Sequence, residues 1–432
     1  MLTPEQRKEK VKAVIRAGTG NFLELYDFLV YAYFAAYIAR ALFPGQSEFM
    51  QLMIALTTYG ASSLARPFGA VFLGSYMDRH GRRKGLLLTL GLMAVGTATL
   101  AFTPSYMTIG LLAPIIIVFG RLVQGFSLGV EASGVNVYLA ELATPKNRGF
   151  YCSWQGGSQA LGVIAATGLG AFLTATLTTA EMEAFGWRIP FIVGCAIIPI
   201  LFWLRRSLQE TEYFEKSTHA RSTGEILRIL LDHWPVLAIG VILTILNTTT
   251  FYFVNTYTPI YGTRTLQLEP LGTFVVALIV GTVSFVLLPV GGTISDRIGR
   301  FPTLVGVPVL VLATSYPAML WLDAAPSFAR LLIVELWLAT LYAMYAGTLV
   351  PLMTEIIPGK VRSSGYSIVL AIANGVFGAF TPAIATLMIE MTGDRASPAL
   401  WLSACAALSL LGSLAAWRFA LTPATRAAAA AE

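Results

Sequence analysis

Charge is what this sequence has least of. Only 12% of its 432 residues are Asp, Glu, Lys or Arg, against about a quarter in an ordinary soluble domain. That scarcity excludes a sizeable soluble domain anywhere in the chain. Cysteine is rare too. Cys152, Cys195 and Cys405 lie far apart within apolar stretches, which excludes a redox pair or a cysteine metal site. Three histidines, with no phosphate-binding loop and no nucleophile motif, exclude the usual metal, nucleotide and hydrolase chemistries. They also exclude an ATP-driven pump within this chain. The start, Met1-Leu-Thr-Pro-Glu-Gln-Arg-Lys-Glu-Lys10, is too polar for a cleavable signal peptide.

What is present is apolar sequence. Hydrophobic residues make up 56% of the chain and the mean hydropathy is +0.69. They fall in successive runs of roughly 20 or more residues, long enough to cross ~30 Å of hydrocarbon as helices. The runs predict an all-α polytopic membrane protein with about twelve transmembrane helices in two six-helix halves. Expected limits are roughly 18–43, 49–76, 85–104, 110–140, 151–178 and 186–206, then 234–262, 271–295, 302–322, 328–355, 363–391 and 397–420. The halves are expected at 1–206 and 233–432, joined by the polar segment 207–232.

The basic residues are distributed unevenly between loops. Clusters at Lys8–Arg16, Arg79–Lys84, Lys146–Arg148, Arg205–Arg228, Arg297–Arg300 and Lys360–Arg362 fall in alternate loops, whereas the intervening loops hold single arginines such as Arg40, Arg188 and Arg264. This asymmetry predicts a membrane protein of positive-inside topology with both termini cytoplasmic. It also explains the formal charge of +6 without a nucleic-acid partner.

One charged motif occurs twice. Gly74-Ser-Tyr-Met-Asp78-Arg79-His-Gly81-Arg82 returns as Gly292-Thr-Ile-Ser-Asp296-Arg297-Ile-Gly299-Arg300. A second repeat follows spans four and ten, as Glu141-Leu-Ala-Thr-Pro145-Lys-Asn-Arg148 and Glu355-Ile-Ile-Pro358-Gly-Lys-Val-Arg362. Both repeats indicate a duplicated secondary transporter.

Charges within a span are costly and mark function by default. They are Glu24 and Asp27 in span one, Arg66 in span two, Arg121 and Glu131 in span four, and Glu335 in span ten. At 1.5 Å per residue, Asp27 lies about 13 Å from one end of its span and Arg121 about 15 Å from the opposite end of its own. Both therefore sit near the midplane. Arg66 serves either a substrate carboxylate or the backbone carbonyls freed by Pro67. Glu24 serves either proton relay or gate capping, and Glu131 either coupling or helix packing.

The doubled Gly-x-x-x-Asp-Arg-x-Gly-Arg turn resembles that of the major facilitator superfamily. Its metabolite:proton symporter branch is resembled by Gly20-Asn-Phe-Leu-Glu24-Leu-Tyr-Asp27-Phe28, Arg66-Pro67-Phe-Gly69, Gly120-Arg121-Leu-Val-Gln124-Gly125 and Trp187-Arg188-Ile-Pro190. Within that branch, Gly149-Phe-Tyr-Cys-Ser-Trp154-Gln155, Thr248-Thr-Thr-Phe-Tyr252-Phe253 and Tyr257-Thr-Pro259 are similar to stretches of bacterial citrate and tricarballylate symporters. The chain departs from that pattern at Ala132-Ser133-Gly134, where Gly-Gly is usual. It departs also at Asn247 and Glu335, where Thr and an apolar residue are usual.

The resemblance implies uptake of a tricarboxylate with protons by alternating access, by a monomer without cofactors, through a cavity lined by spans one, four, seven and ten. Another carboxylate or a zwitterionic osmolyte is the alternative substrate, and sodium the alternative coupling ion. An Asp27–Arg121 contact would couple proton to substrate, or simply tie the two spans together. Arg66 and Arg121 would hold carboxylates. Tyr31, Gln155, Gln159, Asn247, Thr248, Tyr252, Asn255, Tyr342, Tyr345 and Asn374 would supply neutral donors, or bond between helices. Asp78, Arg82, Asp296 and Arg300 would work the gate, or only set topology.

Overall fold

The computed structural model describes residues 14, 18, 21–22, 25–43, 45, 47–80, 82–129, 131–144, 146–206, 228, 231–357 and 362–420. Among them every regular element is helical. In lipid the backbone has no water to bond, so an apolar segment satisfies its N–H and C=O groups only by closing them within a helix.

Eight helices are long and apolar enough to span: Lys84–Phe102, Arg148–Thr176, Trp234–Thr265, Pro270–Ile298, Arg300–Ala324, Phe328–Ile356, Ser364–Thr392 and Pro398–Trp417. They correspond to spans three, five and seven to twelve. Spans one, two and four are interrupted, as 25–33 with Ala35–Leu42, Glu48–Leu64 with Arg66–His80, and Leu112–Ser127 with Glu131–Leu142. Span six is the shorter Ile189–Arg206. The twelve-helix expectation therefore stands, within a few residues at each end.

The interruption in span two has a local cause. Pro67 has no N–H to give the Ser63 carbonyl one turn back. That carbonyl faces span eleven instead, where a Cβ on Gly375 would lie 3.0 Å from it. Spans seven and eleven contain features that no hydrophobic pattern signals. Phe253–Tyr257, Tyr261–Thr265 and Ala373–Gly378 are wound as π-helix, a form that concentrates at functional positions.

The two halves meet at both ends of the bundle. On the face carrying the Asp296–Arg300 turn, spans five and eight touch backbone to backbone. A Cβ added to Gly149 would lie 2.3 Å from the Gly292 carbonyl oxygen, and one added to Gly292 would lie 2.3 Å from that of Gly149. The Asp296 carboxylate accepts from the Gly149 and Phe150 amides at 2.8 and 3.0 Å. Arg300 holds Asp296 at 2.9 Å and Glu355 at 3.0 Å, and Arg148 of the first half reaches the same Glu355 oxygen at 3.7 Å. On the opposite face, Arg264 of the second half and Arg40 of the first both grip Glu48 at 2.7 Å. Arg40 also pairs with Glu183. Just beneath, the Tyr33 hydroxyl donates to the Asn255 carbonyl. The halves are thus bridged at both faces, and between them Phe28, Arg121 and Tyr252 are buried.

Candidate functional site

The buried centre is built around Phe28. The guanidinium carbons of Arg66 and Arg121 each lie 4.6 Å from its ring centroid, so they are separated by less than twice that distance. Arg121 is fully buried. Its charge rests on aromatic faces, with Tyr31 at 4.5 Å and Tyr59 at 5.1 Å. Its hydrogen bonds go to neutral partners, Gln124 Oε1 at 2.8 Å and Ser62 Oγ at 3.2 Å. Arg66 donates to the Tyr252 hydroxyl at 3.3 Å. The Nε of each arginine is buried without a partner. Among the described residues, neither guanidinium has a carboxylate in salt-bridge contact.

Asp27 is one side chain away. Asp27 and Arg121 are not directly paired; Gln124 stands between them. Its Nε2 donates to Asp27 Oδ2 at 2.8 Å while its Oε1 accepts from Arg121. The same Asp27 oxygen meets the Thr97 hydroxyl of span three. That hydroxyl has one proton and a second acceptor, the Met93 carbonyl at 2.9 Å. Asp27 Oδ1 has no partner and faces the backbone of span six, where a Cβ on Gly194 would come within 3.0 Å. The carboxyl is 5% exposed.

Local sequence explains the assembly. Tyr59, Ser62 and Arg66 recur at spacings of three and four and share one face of span two, as Arg121 and Gln124 do in span four. Gly125 lets those faces meet, since a Cβ there would sit 1.7 Å from the Ser62 carbonyl oxygen. In span eleven, a Cβ on Gly378 would lie 2.1 Å from Thr248 Oγ1 and 2.8 Å from the Tyr252 ring.

The second half contributes neutral groups. Tyr252 meets Arg66, and its ring lies edge-on to Tyr59 at 6.0 Å. Thr248 donates to Asn374 Oδ1 at 2.5 Å. Asn247 Oδ1 is buried without a partner. Tyr342 approaches through Phe251, at 5.8 Å between rings.

Other expected donors are committed elsewhere. The Tyr345 hydroxyl donates to the Leu243 carbonyl at 2.8 Å, and Asn255 Nδ2 to the Phe251 carbonyl at 3.2 Å. The Tyr31 hydroxyl donates to the Ala55 carbonyl at 3.3 Å, so Tyr31 serves Arg121 with its ring. Gln155 meets span one through its backbone carbonyl, which accepts from Asn21 at 3.1 Å. Gln159, one turn further along span five, is half-buried. Glu24 lies outside the described residues, as do the side chains of Asp78, Arg82 and Glu131.

Sequence reasoning passed over Phe28, Tyr59, Ser62, Thr97 and Gln124. Phe28 and Gln124 stand inside the motifs that carry Asp27 and Arg121, and Tyr59 and Ser62 sit two turns and one turn before Arg66. Helical spacing was the signal available for Tyr59, Ser62 and Gln124. Thr97 carries none, because only the fold brings span three against Asp27.

The pattern that defines the Major Facilitator Superfamily matches residues 19–382. The chain belongs to this superfamily. It is 47% identical over 403 residues to the citrate-proton symporter of Salmonella typhi, covering 93% of each chain. Against the citrate-proton symporter of Klebsiella pneumoniae it is 45% identical, covering 94% of this chain and 91% of that one. The proline/betaine transporter of Escherichia coli K12 is 30% identical, with 93% of this chain and 82% of the relative covered. Among solved structures, the partially occluded, inward-open xylose transporter XylE of E. coli superposes with a TM-score of 0.74. It has 18% identity and covers 94% of this chain and 96% of its own. That likeness concerns the fold alone.

Proposed function

We propose that this protein is a proton-coupled citrate symporter of the bacterial inner membrane, with both termini and the Asp296–Arg300 face cytoplasmic. One observation carries the reading. Two guanidiniums share one aromatic ring at the buried meeting of the halves, and no described carboxylate is in salt-bridge contact with either. Unpaired buried charge is expensive, and a polycarboxylate anion is the ligand that relieves it. Arginine suits the role because its planar fork binds carboxylates in bidentate fashion. The citrate-proton symporters at 45–47% identity support the same substrate. A zwitterion such as proline offers one carboxylate and brings its own cation, which fits two unpaired arginines less well.

Gln124 links the proton to the substrate. With Asp27 ionised, the Gln124 amide is pulled between the carboxylate and Arg121, because bonds to charged groups are roughly twice as strong as neutral ones. A proton on Asp27 weakens that pull and releases an Arg121 donor for the substrate. Thr97 receives the protonated carboxyl, since its own hydroxyl proton can go to Met93. Substrate release to the cytoplasm and deprotonation of Asp27 re-form the bridge. The halves 1–206 and 233–432 rock about the site, and the latches at either face break in turn. The protein acts as a monomer, without cofactors, and moves its substrate chemically unchanged.

The test is uptake of labelled citrate into proteoliposomes under imposed proton or sodium gradients, competed by tricarballylate, cis-aconitate, dicarboxylates and proline. The reading requires uptake driven by the proton gradient and competition led by tricarboxylates. Competition led by proline or betaine would sink the substrate.

A further inference from the structure

We infer that Glu335 is a second proton-carrying site, in the opposite half from Asp27, and adds one proton to those moved with each substrate. The inference rests on the symport reading above.

Glu335 lies in span ten, about 10 Å from its external end at 1.5 Å per residue, and is 1% exposed. Three described glutamates at the helix ends that join the halves or loops have cations. Glu48 has Arg40 and Arg264, Glu183 has Arg40, and Glu355 has Arg148 and Arg300. Among the described residues Glu335 has none. Its Oε2 is buried without any partner. Ionised and unpaired at such a place, a carboxylate costs several kcal/mol.

The carboxyl lies beside the Thr258 hydroxyl of span seven. A threonine hydroxyl has one proton, and Thr258 donates it to the Val254 carbonyl at 2.7 Å. With that proton committed to the helix, a neutral carboxylic acid, which has an O–H of its own to donate, fits the place better than a carboxylate. Asp27 is built the same way. It is a buried carboxyl with one oxygen unpartnered, and the other meets a threonine hydroxyl that also has a helix carbonyl to serve.

Polar groups lie between Glu335 and the external side. Of the titratable groups, Tyr261 of span seven interacts electrostatically with Glu335, and Tyr257 stands one turn beside it. The Tyr261 hydroxyl donates to the backbone carbonyl of Arg395 at 2.9 Å, in the loop before span twelve. Arg395 pairs with Asp323 of span nine at 3.7 Å, and both are partly exposed. On span ten itself Arg330 lies five residues nearer the external end, and its guanidinium is committed to the Trp321 carbonyl at 2.7 Å. A carboxyl that must be neutral when the bundle is occluded, and that can ionise once water enters, binds and releases a proton in each cycle.

The experiment is the proton-to-citrate ratio in proteoliposomes, read from the membrane potential at which net flux reverses under a fixed citrate gradient. Wild type and Glu335→Gln are compared. The inference requires that Glu335→Gln still transports citrate, with one proton fewer per substrate. An unchanged ratio overturns it and makes Glu335 a permanently neutral packing group. A wild type that shows no proton coupling overturns the symport reading instead. Should the variant not transport, infrared difference spectra on citrate binding decide. A protonated-carboxyl C=O band present in wild type and in Asp27→Asn but absent from Glu335→Gln supports the inference. The same band in all three proteins overturns it.

Discussion

Gln124→Glu is the most searching single change, because it alters charge at constant shape. The wild-type amide accepts from Arg121 at 2.8 Å and leaves the guanidinium charge unspent. A carboxylate in its place would neutralise that charge. At an effective dielectric of about 20, two opposite unit charges about 4 Å apart attract by about 4 kcal/mol. The substrate would have to displace that pair. At 1.4 kcal/mol per tenfold, citrate affinity should fall by about two to three orders of magnitude. Gln124→Leu removes the bridge without adding charge. It forfeits bonds to charged groups worth about 1.5–3 kcal/mol each, partly regained when Arg121 turns to the substrate, so a loss of about tenfold is expected. The assay is citrate binding by calorimetry in detergent, alongside counterflow exchange at equal pH, with thermal melts to establish folding. Two results would refute the reasoning. One is wild-type affinity in Gln124→Glu. The other is an equal loss in Glu and Leu variants, which would mean the bridge acts by packing alone.

Two further changes concern the latches. Asp296→Asn weakens the bonds to the Gly149 and Phe150 amides and to Arg300, worth about 1.5–3 kcal/mol for each charged bond; the cytoplasmic face should open at least tenfold more often, seen as faster labelling of a cysteine placed at Ser153. On the other face, the hydrogen bond from Arg264, with the charge of Arg40 beside it, holds the Glu48 carboxyl below its usual range. Its contribution to closure is therefore present at neutral pH and lost as pH falls through that depressed value. Glu48→Gln should favour the outward-open state by no more than about fivefold, since exposed ion pairs are worth about 1 kcal/mol at most; spin-label distances between residues 47 and 269 would report it, and the variant should lose the acid dependence that the wild type shows.

The spans were legible because hydrocarbon thickness imposes a run length that composition reveals at once. The break before Arg66 was half legible, since Pro67 announces it, but that the freed Ser63 carbonyl turns toward Gly375 depends on span eleven. The depths of Asp27 and Arg121 followed from the rise per residue. The amide between them did not. Depth brings two side chains to one level and says nothing of a third that reaches both. Asn255 and Tyr345 lie on the predicted faces, yet their side chains bond backbone carbonyls. A polar side chain in lipid takes the first acceptor it meets, and sequence does not reveal which that is. The π-helical turns in spans seven and eleven left no trace in hydropathy, because they change the pitch of a helix and not its composition.

The most direct measurement is proton movement on citrate addition. Proteoliposomes carrying a pH-sensitive dye inside, with no imposed gradient and valinomycin to clamp the potential, receive citrate outside. The account predicts internal acidification that follows citrate uptake, falls in Asp27→Asn relative to the citrate that enters, and disappears together with uptake when both Arg66 and Arg121 are replaced by alanine. Citrate entering with no acidification, or entering unchanged without the two arginines, would contradict it.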